Sequence, residues 1–427
     1  MQLTLQKIVG GGQALGTLDD GRKAFVWGGL PGETVEIRVT KKKSKLVEGV
    51  AENIINHSAE RIAPRDPDSY LSTSPWQIMD FSAEQNYKSN LIGEAFELSG
   101  IKLTEAVDIY SDQVIYEYRN KVEFSWYGDT DNSSGLDTLD LAFFRRGSKG
   151  KIAIEGTSLA RPEINRLARE IRDLLRTKNV SARNLKTLMI RCSQNGECVW
   201  QLYLKDDIAN LISPSEAANL PAQGGEIIYS DHRSPASVIT KRLDSFGDIT
   251  LSDSILETPF RYATEGFFQV NIPVYEQALR DMRSWIPEGK PTVDMYSGVG
   301  TIGLTIGSPD TILVELNEHA VREMQRNISE LAKPAVAVLA ASEQALEYIT
   351  PDRTIILDPP RAGLHQAVVD RLLDQSPERI VYLSCNPVTQ ARDASLLVEK
   401  YKISHVQGYN FFPRTPHIEN LLVLDKI

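Results

Sequence analysis

The segment TVDMYSGVGTIGL, residues 292–304, decides the fold of the C-terminal part of the chain. An apolar stretch runs into three glycines, Gly298, Gly300 and Gly303, and a helical pattern follows them. Glycine at such positions permits a tight turn and lets the backbone approach a ligand closely. The segment is therefore typical of a strand, a ligand-binding turn and the start of a helix in an open α/β sheet.

From about residue 261 onward, short apolar strands alternate with amphipathic helices. The predicted strands are TVDMY, TILVEL, AVAVL, TIILD and IVYLS. Alternation of this kind indicates a doubly wound parallel sheet. We therefore predict a Rossmann-like α/β domain over residues 261–427.

Two cofactors are compatible with the glycine turn. Glu315 ends the second predicted strand, where a carboxylate can accept hydrogen bonds from ribose hydroxyls. A dinucleotide would place its pyrophosphate over the glycines. S-adenosylmethionine has no phosphate, and methyltransferases use a similar turn and strand-end acid. Asp294, ahead of the glycines, favours S-adenosylmethionine because its carboxylate can hold the turn or an ammonium group.

Two further strands end in side chains that can carry chemistry. Asp358 precedes two prolines in LDPPRAGL, and Cys385 follows an apolar run in VYLSCNPVTQARD. The carboxyl ends of parallel strands face the ligand crevice, so we expect both side chains at one edge of the sheet. At that edge Cys385 is either a nucleophile or a small core residue near a turn.

A cysteine at this edge could activate a pyrimidine ring, whose carbon 5 is a poor methyl acceptor. Addition of a thiolate to carbon 6 makes carbon 5 enolate-like, and a base must later remove the carbon 5 proton. Glu419, in PHIENLLVLDKI, begins the last predicted strand and is the candidate base, with His417 as the alternative. A buried glutamate would have the raised pKa that proton transfer near neutral pH requires.

The first sixty residues predict a small β-barrel. Five short strand patterns separated by glycine-rich turns suit an OB-like fold. The basic side chains between two of these strands are Arg38, Lys41, Lys42, Lys43 and Lys45. On an OB-like scaffold such a loop can contact phosphates. A second basic cluster falls in residues 145–151.

Residues 61–260 form the third predicted domain, a β-rich central region. It includes a helix at 82–98, and turn clusters such as GDTDNSSG at 128–135 divide its strands. Cys192 and Cys198 flank a predicted hairpin turn, and we take them as structural because no nearby histidine completes a zinc site.

Composition and charge limit the class of protein. The net charge of −10 gives no sign of a globally basic nucleic-acid binder, so such contacts must come from local patches. Three cysteines cannot form a disulfide framework, which favours a reducing, cytoplasmic compartment. The chain has neither a signal-peptide pattern nor a run of about 18 apolar residues, so we expect no membrane span.

Together these motifs resemble the RNA (uracil-5-)-methyltransferases, a family that acts on tRNA and 23S rRNA. The motifs that follow the family's order are GFFQVN (266–271), DMYSGVGTIGL (294–304), LDPPRAGL (357–364), SCNPVTQARD (384–393) and RTPHIEN (414–420). The N-terminal barrel resembles the family's RNA-binding TRAM domain. The resemblance implies S-adenosyl-L-methionine as the cofactor, RNA as the partner, and a monomeric, cytoplasmic enzyme.

The resemblance also implies roles for individual residues. Those implied for cofactor binding are Gln269, Tyr296, Gly298, Gly300, Glu315 and Asp358. Cys385 is implied as the nucleophile and Glu419 as the general base. Arg361 stands where cytosine methylases typically carry a cysteine, which favours uracil over cytosine. Phe267 and Phe268 line the uracil pocket or pack in the core.

The sequence departs from the family pattern in two places. Many TRAM-bearing members hold an iron–sulfur cluster on four cysteines, but residues 61–77 contain none, and we expect no cluster. Residues 340–346, AASEQAL, lack the family's usual aspartate, which leaves Glu343 as the candidate for the adenine contact.

The expected substrate is 23S rRNA, because the family's rRNA-modifying members usually carry a TRAM domain. The uridine of the tRNA T-loop is the alternative. A nicotinamide-dependent oxidoreductase would leave SCNP and PHIE unexplained. A catalytically inactive RNA-binding protein is disfavoured by the intact Cys385, Glu419 and Asp358.

Overall fold

The structure, a computed structural model, describes residues 1–129, 138–178 and 180–427. These residues divide into two compact units. Unit 1 comprises Met1–Asp80, Val114–Asp253 and Tyr262–Glu265, and unit 2 comprises Phe81–Gln113, Ser254–Arg261 and Gly266–Ile427. Most of the turn predicted at 128–135 lies outside the described residues.

The N-terminal strands form a closed barrel. They are β1 (Gln2–Ile8), β2 (Ala14–Thr17), β3 (Lys23–Trp27), β4 (Thr34–Lys42) and β5 (Leu46–Asn56). The order around the barrel is β1-β2-β3-β5-β4. Side chains on a strand point alternately to its two faces, so Leu3, Leu5, Val26 and Val35 fill the interior. The predicted OB-like barrel is confirmed.

The β-rich part of unit 1 is a seven-stranded sheet. The elements that follow the barrel are α1 (Tyr70–Thr73), α2 (Phe81–Leu98), β6 (Ile109–Tyr110), β7 (Lys121–Tyr127), β8 (Asp140–Phe144), β9 (Lys151–Ile154), α3 (Pro162–Arg176), β10 (Leu185–Cys192), β11 (Cys198–Leu204), α4 (Pro214–Ala218), β12 (Gly224–Tyr229), β13 (Lys241–Gly247), β14 (Thr250–Ile255) and β15 (Thr258–Ala263). The sheet order is β13-β12-β11-β10-β7-β8-β9. Cys192 and Cys198 lie opposite each other on β10 and β11 and are buried in the core of this sheet.

An aspartate organises the segment after the barrel. The Asp66 carboxylate accepts hydrogen bonds from the Ser158 amide (3.0 Å) and hydroxyl (2.9 Å), from Thr157 Oγ1 (3.2 Å) and from Gln77 Nε2 (3.0 Å). Gln77 Oε1 in turn accepts a hydrogen bond from the Asp66 amide at 3.0 Å. Ordinary hydrogen bonds therefore tie residues 61–77 to Thr157 and Ser158. The expected lack of an iron–sulfur cluster stays a prediction, which absorbance at about 400 nm would test.

Replacing Asp66 with alanine is expected to lower the free energy of unfolding by about 3 kcal/mol, because partly buried donors of Gln77, Thr157 and Ser158 would lose their acceptor. Urea unfolding followed by tryptophan fluorescence measures the change. Asp68→Ala, at an exposed neighbouring aspartate, is the control and should alter stability little. Equal effects of the two substitutions would contradict the role of Asp66.

Helix α2 belongs to unit 2, which corrects our placement of the 82–98 helix in the central region. Its buried Ile92, Ala95 and Phe96 pack in the same apolar core as Tyr382 and Leu422 of the C-terminal sheet. The physical reason is that an amphipathic helix joins whichever sheet covers its apolar face, and position along the chain does not reveal which sheet that is.

The C-terminal sheet has eight strands and carries the site. Its remaining elements are α5 (Ile272–Ser284), β16 (Thr292–Met295), α6 (Thr301–Ile306), β17 (Thr311–Glu315), α7 (Glu318–Glu330), β18 (Val336–Leu339), the 3₁₀ turns Ser342–Gln344 and Leu346–Tyr348, β19 (Thr354–Leu357), α8 (Gln366–Gln375), β20 (Arg379–Ser384), α9 (Pro387–Leu397), β21 (Tyr401–Tyr409) and β22 (Glu419–Lys426). The order is β18-β17-β16-β19-β20-β22-β21-β6. The predicted parallel, doubly wound sheet is confirmed for β16 to β20.

The last strand runs against this parallel set. β22 pairs antiparallel with both β20 and β21, and Ser384 of β20 lies opposite Asn420 of β22. The start of β22 therefore meets the carboxyl end of β20, at the edge that binds ligands in α/β sheets. None of the helices in the described part of the chain combines the length and apolar character needed to cross a bilayer.

Candidate active site

Three side chains predicted to carry chemistry meet at the carboxyl edge of the C-terminal sheet. Cys385 directly follows β20, and Glu419 is the first residue of β22, which the pairing of Ser384 with Asn420 places alongside. Asp358 directly follows β19, the other neighbour of β20. The charges of Glu419 and Asp358 both act on the Cys385 thiol, as expected of close neighbours.

Burial and these two acids keep the thiol neutral in the free protein. Loss of solvent is the largest cause, followed by the charges of Glu419 and Asp358, and together they raise the pKa of Cys385 to about 11. Burial also raises the pKa of Glu419 well above its ordinary value, and the charge of Asp358 adds to that shift. The Arg361 guanidinium opposes both shifts.

A hydrogen-bonded turn surrounds Cys385. Asn386 caps α9 by accepting a hydrogen bond from the Val388 amide (3.2 Å), and its Nδ2 donates to the Arg361 carbonyl (2.9 Å). A guanidinium nitrogen of Arg361 lies 3.2 Å from Nδ1 of His417. His417 is exposed, whereas Glu419 is only 6% exposed. Of the two candidate bases, Glu419 has the buried environment that shifts a pKa toward neutrality.

The glycine turn has the conformation that its sequence predicts. Gly300 caps α6 with φ +87°, and a Cβ there would lie 2.9 Å from Leu304 and 3.1 Å from Met324. Gly298 has φ +57° and faces open space. Tyr296 also has a positive φ, +65°, although it carries a side chain. Strained positions of this kind cluster at functional sites.

The carboxylate that follows the glycine turn is held in place by two amides. Glu315 accepts hydrogen bonds from the Gly298 amide (2.9 Å) and the Asn317 amide (2.7 Å). Each of its oxygens has a second lone pair, so the carboxylate can still accept hydrogen bonds from ribose hydroxyls.

Two further acidic side chains lie close to the glycine turn. Asp294 Oδ2 accepts a hydrogen bond from the Gly303 amide (2.8 Å), while its buried Oδ1 has no partner among the described residues. Burial, and secondarily the charges of Asp358 and Glu315, raise the pKa of Asp294 well above its ordinary value. Burial raises the pKa of Asp358 to about 7. These residues offer hydrogen-bonding oxygens around the turn, which fits a nucleoside ligand such as S-adenosylmethionine.

The other residues predicted to contact the ligands also belong to unit 2, but their side chains differ in solvent exposure. Gln269 is half-buried just before α5, Phe268 is buried, and Phe267 is 72% exposed. One of the two phenylalanines thus packs in the core. Glu343 is exposed, while Ser342 beside it is buried and interacts with the Tyr296 phenol.

Sequence reasoning missed two buried asparagines. Asn271 donates from Nδ2 to the Phe411 carbonyl (3.2 Å), and Asn420 donates to Gln390 Oε1 (2.7 Å). Each was already inside a quoted motif, because Asn271 ends GFFQVN and Asn420 ends RTPHIEN, and that position was their signal in the sequence.

Comparisons with known proteins agree with this geometry. The model of the tRNA (uracil-5-)-methyltransferase family matches residues 342–427, and that of the TRAM domain matches residues 10–51. An uncharacterized RNA methyltransferase of Streptococcus mutans is 30% identical over 95% of this chain and 94% of its own. One of Fusobacterium nucleatum is 25% identical over 100% and 96%, respectively.

A solved structure shares the fold over the full length. The tRNA (uracil-54, C5)-methyltransferase of Pyrococcus abyssi, in complex with S-adenosyl-L-homocysteine, superposes with a TM-score of 0.79. The match covers 99% of this chain and 100% of that chain at 21% sequence identity.

The TRAM barrel, the doubly wound sheet and the acidic glycine turn define an RNA methyltransferase. Within that class, the chain belongs to the RNA (uracil-5-)-methyltransferase family. The prediction that it is an enzyme is confirmed, and the nicotinamide-dependent alternative is set aside.

Proposed function

We propose that this enzyme methylates carbon 5 of a specific uridine in structured RNA. The observation that carries the proposal is the pairing of Ser384 with Asn420, which brings a thiol and a buried carboxylate together at the ligand edge. Methylation of a pyrimidine at carbon 5 requires one nucleophile and one base. Cys385 and Glu419 supply them.

The chemistry balances with these two groups. The Cys385 thiol loses its proton to solvent, the resulting thiolate bonds to carbon 6 of the uracil, and the electron pair of the ring double bond moves toward carbon 5. S-adenosyl-L-methionine, when bound, supplies the methyl group that carbon 5 takes. The Glu419 carboxylate then accepts the proton of carbon 5, the double bond re-forms, and the bond between sulfur and carbon 6 breaks to return the thiolate.

Cofactor binding falls to the glycine turn and its neighbours. Glu315 would hold the ribose, and Gly298 and Gly300 would let the ligand approach the backbone closely. Gln269, Tyr296 and Asp358 are the further contacts that we propose. The Oδ1 atom of Asp294, which has no partner among the described residues, could accept or donate a further hydrogen bond.

We assign RNA binding to residues 1–60, the TRAM barrel, and to the central region within 61–260, with catalysis in 261–427. Two basic segments support this. A Cβ at Gly147 would lie 2.6 Å from Thr40, so the 145–151 segment lies against β4 of the barrel. Arg146 stacks over the Trp27 ring at 4.1 Å. The two clusters predicted from sequence therefore lie side by side, and together they can follow an RNA backbone.

Replacing Lys43 and Lys45 with alanine is expected to weaken RNA binding about tenfold and to reduce its salt dependence by about two phosphate contacts. Both lysines are exposed next to β4. Filter binding at several salt concentrations measures affinity and slope, and kcat at saturating RNA should stay unchanged. The control replaces Lys102 and Lys402, two exposed lysines of unit 2. The same loss in both double variants would contradict a specific role for the barrel lysines.

For the substrate, we infer 23S rRNA, because TRAM-bearing members of the family commonly modify rRNA. The tRNA T-loop uridine is a second candidate, favoured by the full-length similarity to a tRNA (uracil-54, C5)-methyltransferase. The deciding experiment maps 5-methyluridine in total RNA from a strain lacking this protein, and adds purified enzyme to both RNAs. An unchanged 5-methyluridine map together with no methylation of either RNA would overturn the proposed function.

A further inference from the structure

A buried ion pair lies on helix α2 of unit 2. Glu84 and Lys88 are one helical turn apart, their charged atoms are 3.1 Å apart, and both side chains are 0% exposed. Removing two charges from water is costly and is repaid only when good geometry and further hydrogen bonds satisfy both groups. Burial lowers the pKa of Lys88 accordingly. The pair therefore needs partners that use both charges.

Those partners lie on the segment that follows β21. Lys88 Nζ donates to Asn410 Oδ1 (2.6 Å) and to the Phe412 carbonyl (3.2 Å). The Glu84 carboxylate accepts hydrogen bonds from Asn410 Nδ2 (2.9 Å) and from the Arg414 amide, 3.0 Å from each oxygen. The Glu84 and Lys88 side chains of α2 thus hydrogen-bond to both backbone and side-chain atoms of residues 410–414.

These hydrogen bonds stabilise an unusual backbone conformation at Arg414. Arg414 has φ +66°, in the left-handed region that is costly for a residue with a side chain. The Glu84 carboxylate offsets that cost by accepting the Arg414 amide hydrogen, and the Arg414 guanidinium lies 3.7 Å from the same carboxylate. The side chain of Arg414 is 3% exposed. The turn at Arg414 is therefore specified by a residue more than three hundred positions earlier in the chain.

Residues 410–414 connect α2 to the candidate active site. The Phe411 carbonyl accepts the hydrogen bond from Asn271, the last residue of the GFFQVN motif. Beyond Arg414, His417 contacts Arg361, and Glu419 begins β22. The position of the Glu419 carboxylate therefore depends on the conformation of the turn at 410–414, because that turn sets the path of the chain into β22.

We propose that Glu84 and Lys88 are positioning residues for Glu419. They hold the chain so that its carboxylate meets the carbon 5 proton, and they touch no reacting atom. This inference rests on the proposed role of Glu419 as base. Its consequence is selective: loss of the pair slows proton removal, whereas addition of Cys385 and methyl transfer continue.

The test measures two steps separately in the full-length protein. In Glu84→Gln, multiple turnover should fall about 10- to 100-fold, since a misplacement of about 1 Å can cost that much. The methylated RNA–protein adduct should accumulate on denaturing gels, and KM for RNA should change little. Rates are expressed per active site, titrated with 5-fluorouridine RNA. A purely structural defect would lower adduct and turnover together, and that result overturns the proposal.

A second variant distinguishes loss of positioning from a folding defect caused by an unpaired buried charge. Glu84→Gln combined with Lys88→Met replaces the pair by neutral groups, which buried sites often tolerate. Slow release of the adduct by this variant supports the proposal, and release at the parental rate overturns it. The matched control is Glu170→Gln, which breaks the exposed Arg166–Glu170 pair of equal spacing and should release the adduct normally.

Glu419→Gln, assayed in parallel, separates this inference from the proposed function. Adduct accumulation in Glu419→Gln with parental release in Glu84→Gln overturns the positioning role alone. Parental turnover of Glu419→Gln overturns the assignment of the base, and the positioning role with it.

Discussion

Replacing Cys385 with alanine is expected to abolish methylation, with a loss of at least about 10⁴-fold in kcat, because covalent activation of carbon 5 then has no nucleophile. RNA affinity should stay within about threefold, since phosphate contacts dominate binding. Mass spectrometry of nucleosides from methylated RNA measures the product.

In the parent enzyme the methylation rate should rise with pH, because the pKa of Cys385 is raised to about 11 and the reactive thiolate becomes more abundant.

Trapping with 5-fluorouridine RNA identifies the nucleophile directly. Fluorine at carbon 5 cannot leave as a proton, so the parent enzyme should retain RNA on the sulfur of residue 385. Cys192→Ala and Cys198→Ala are matched controls, because both thiols are buried in the unit 1 sheet, and both variants should trap normally. An adduct on another residue, or parental turnover by Cys385→Ala, would show that nucleophilic catalysis by Cys385 is wrong.

Replacing Glu419 with glutamine should leave the first half of the reaction intact and block the second. Glutamine keeps the size of the side chain but cannot take a proton, and loss of a general base costs about 10²- to 10⁴-fold. The methylated adduct should therefore accumulate in single-turnover experiments while release of RNA nearly stops. A denaturing gel with labelled RNA separates the adduct from free product.

His417→Gln is the control for that assignment. His417 is exposed and contacts Arg361, and its replacement should slow turnover only a few-fold without trapping RNA. The opposite pattern, with an adduct in His417→Gln and normal release in Glu419→Gln, would make the histidine the base.

Much of the catalytic unit was predictable because its signals are local. The glycines of 298–303 need positive φ or close approach, and strand ends of a parallel sheet share one edge. From these rules alone, Asp294, Glu315 and Asp358 could be placed around one ligand. The 82–98 helix was placed in the wrong part of the molecule, because amphipathic spacing shows that a helix has an apolar face but does not show what covers it.

The sequence alone indicates residue chemistry and backbone preference. The Cys385 thiol, the Glu419 carboxylate, the glycine turn and the period-two pattern of the barrel strands could all be identified from it. Two facts on which the proposed mechanism depends could not be read there. The antiparallel insertion of β22 beside β20, which joins Cys385 to Glu419, depends on strand pairing between distant segments. The burial of Glu84 and Lys88 depends on the same kind of long-range packing, since an i,i+4 ion pair on a helix reads as a solvated surface pair until the fold desolvates it.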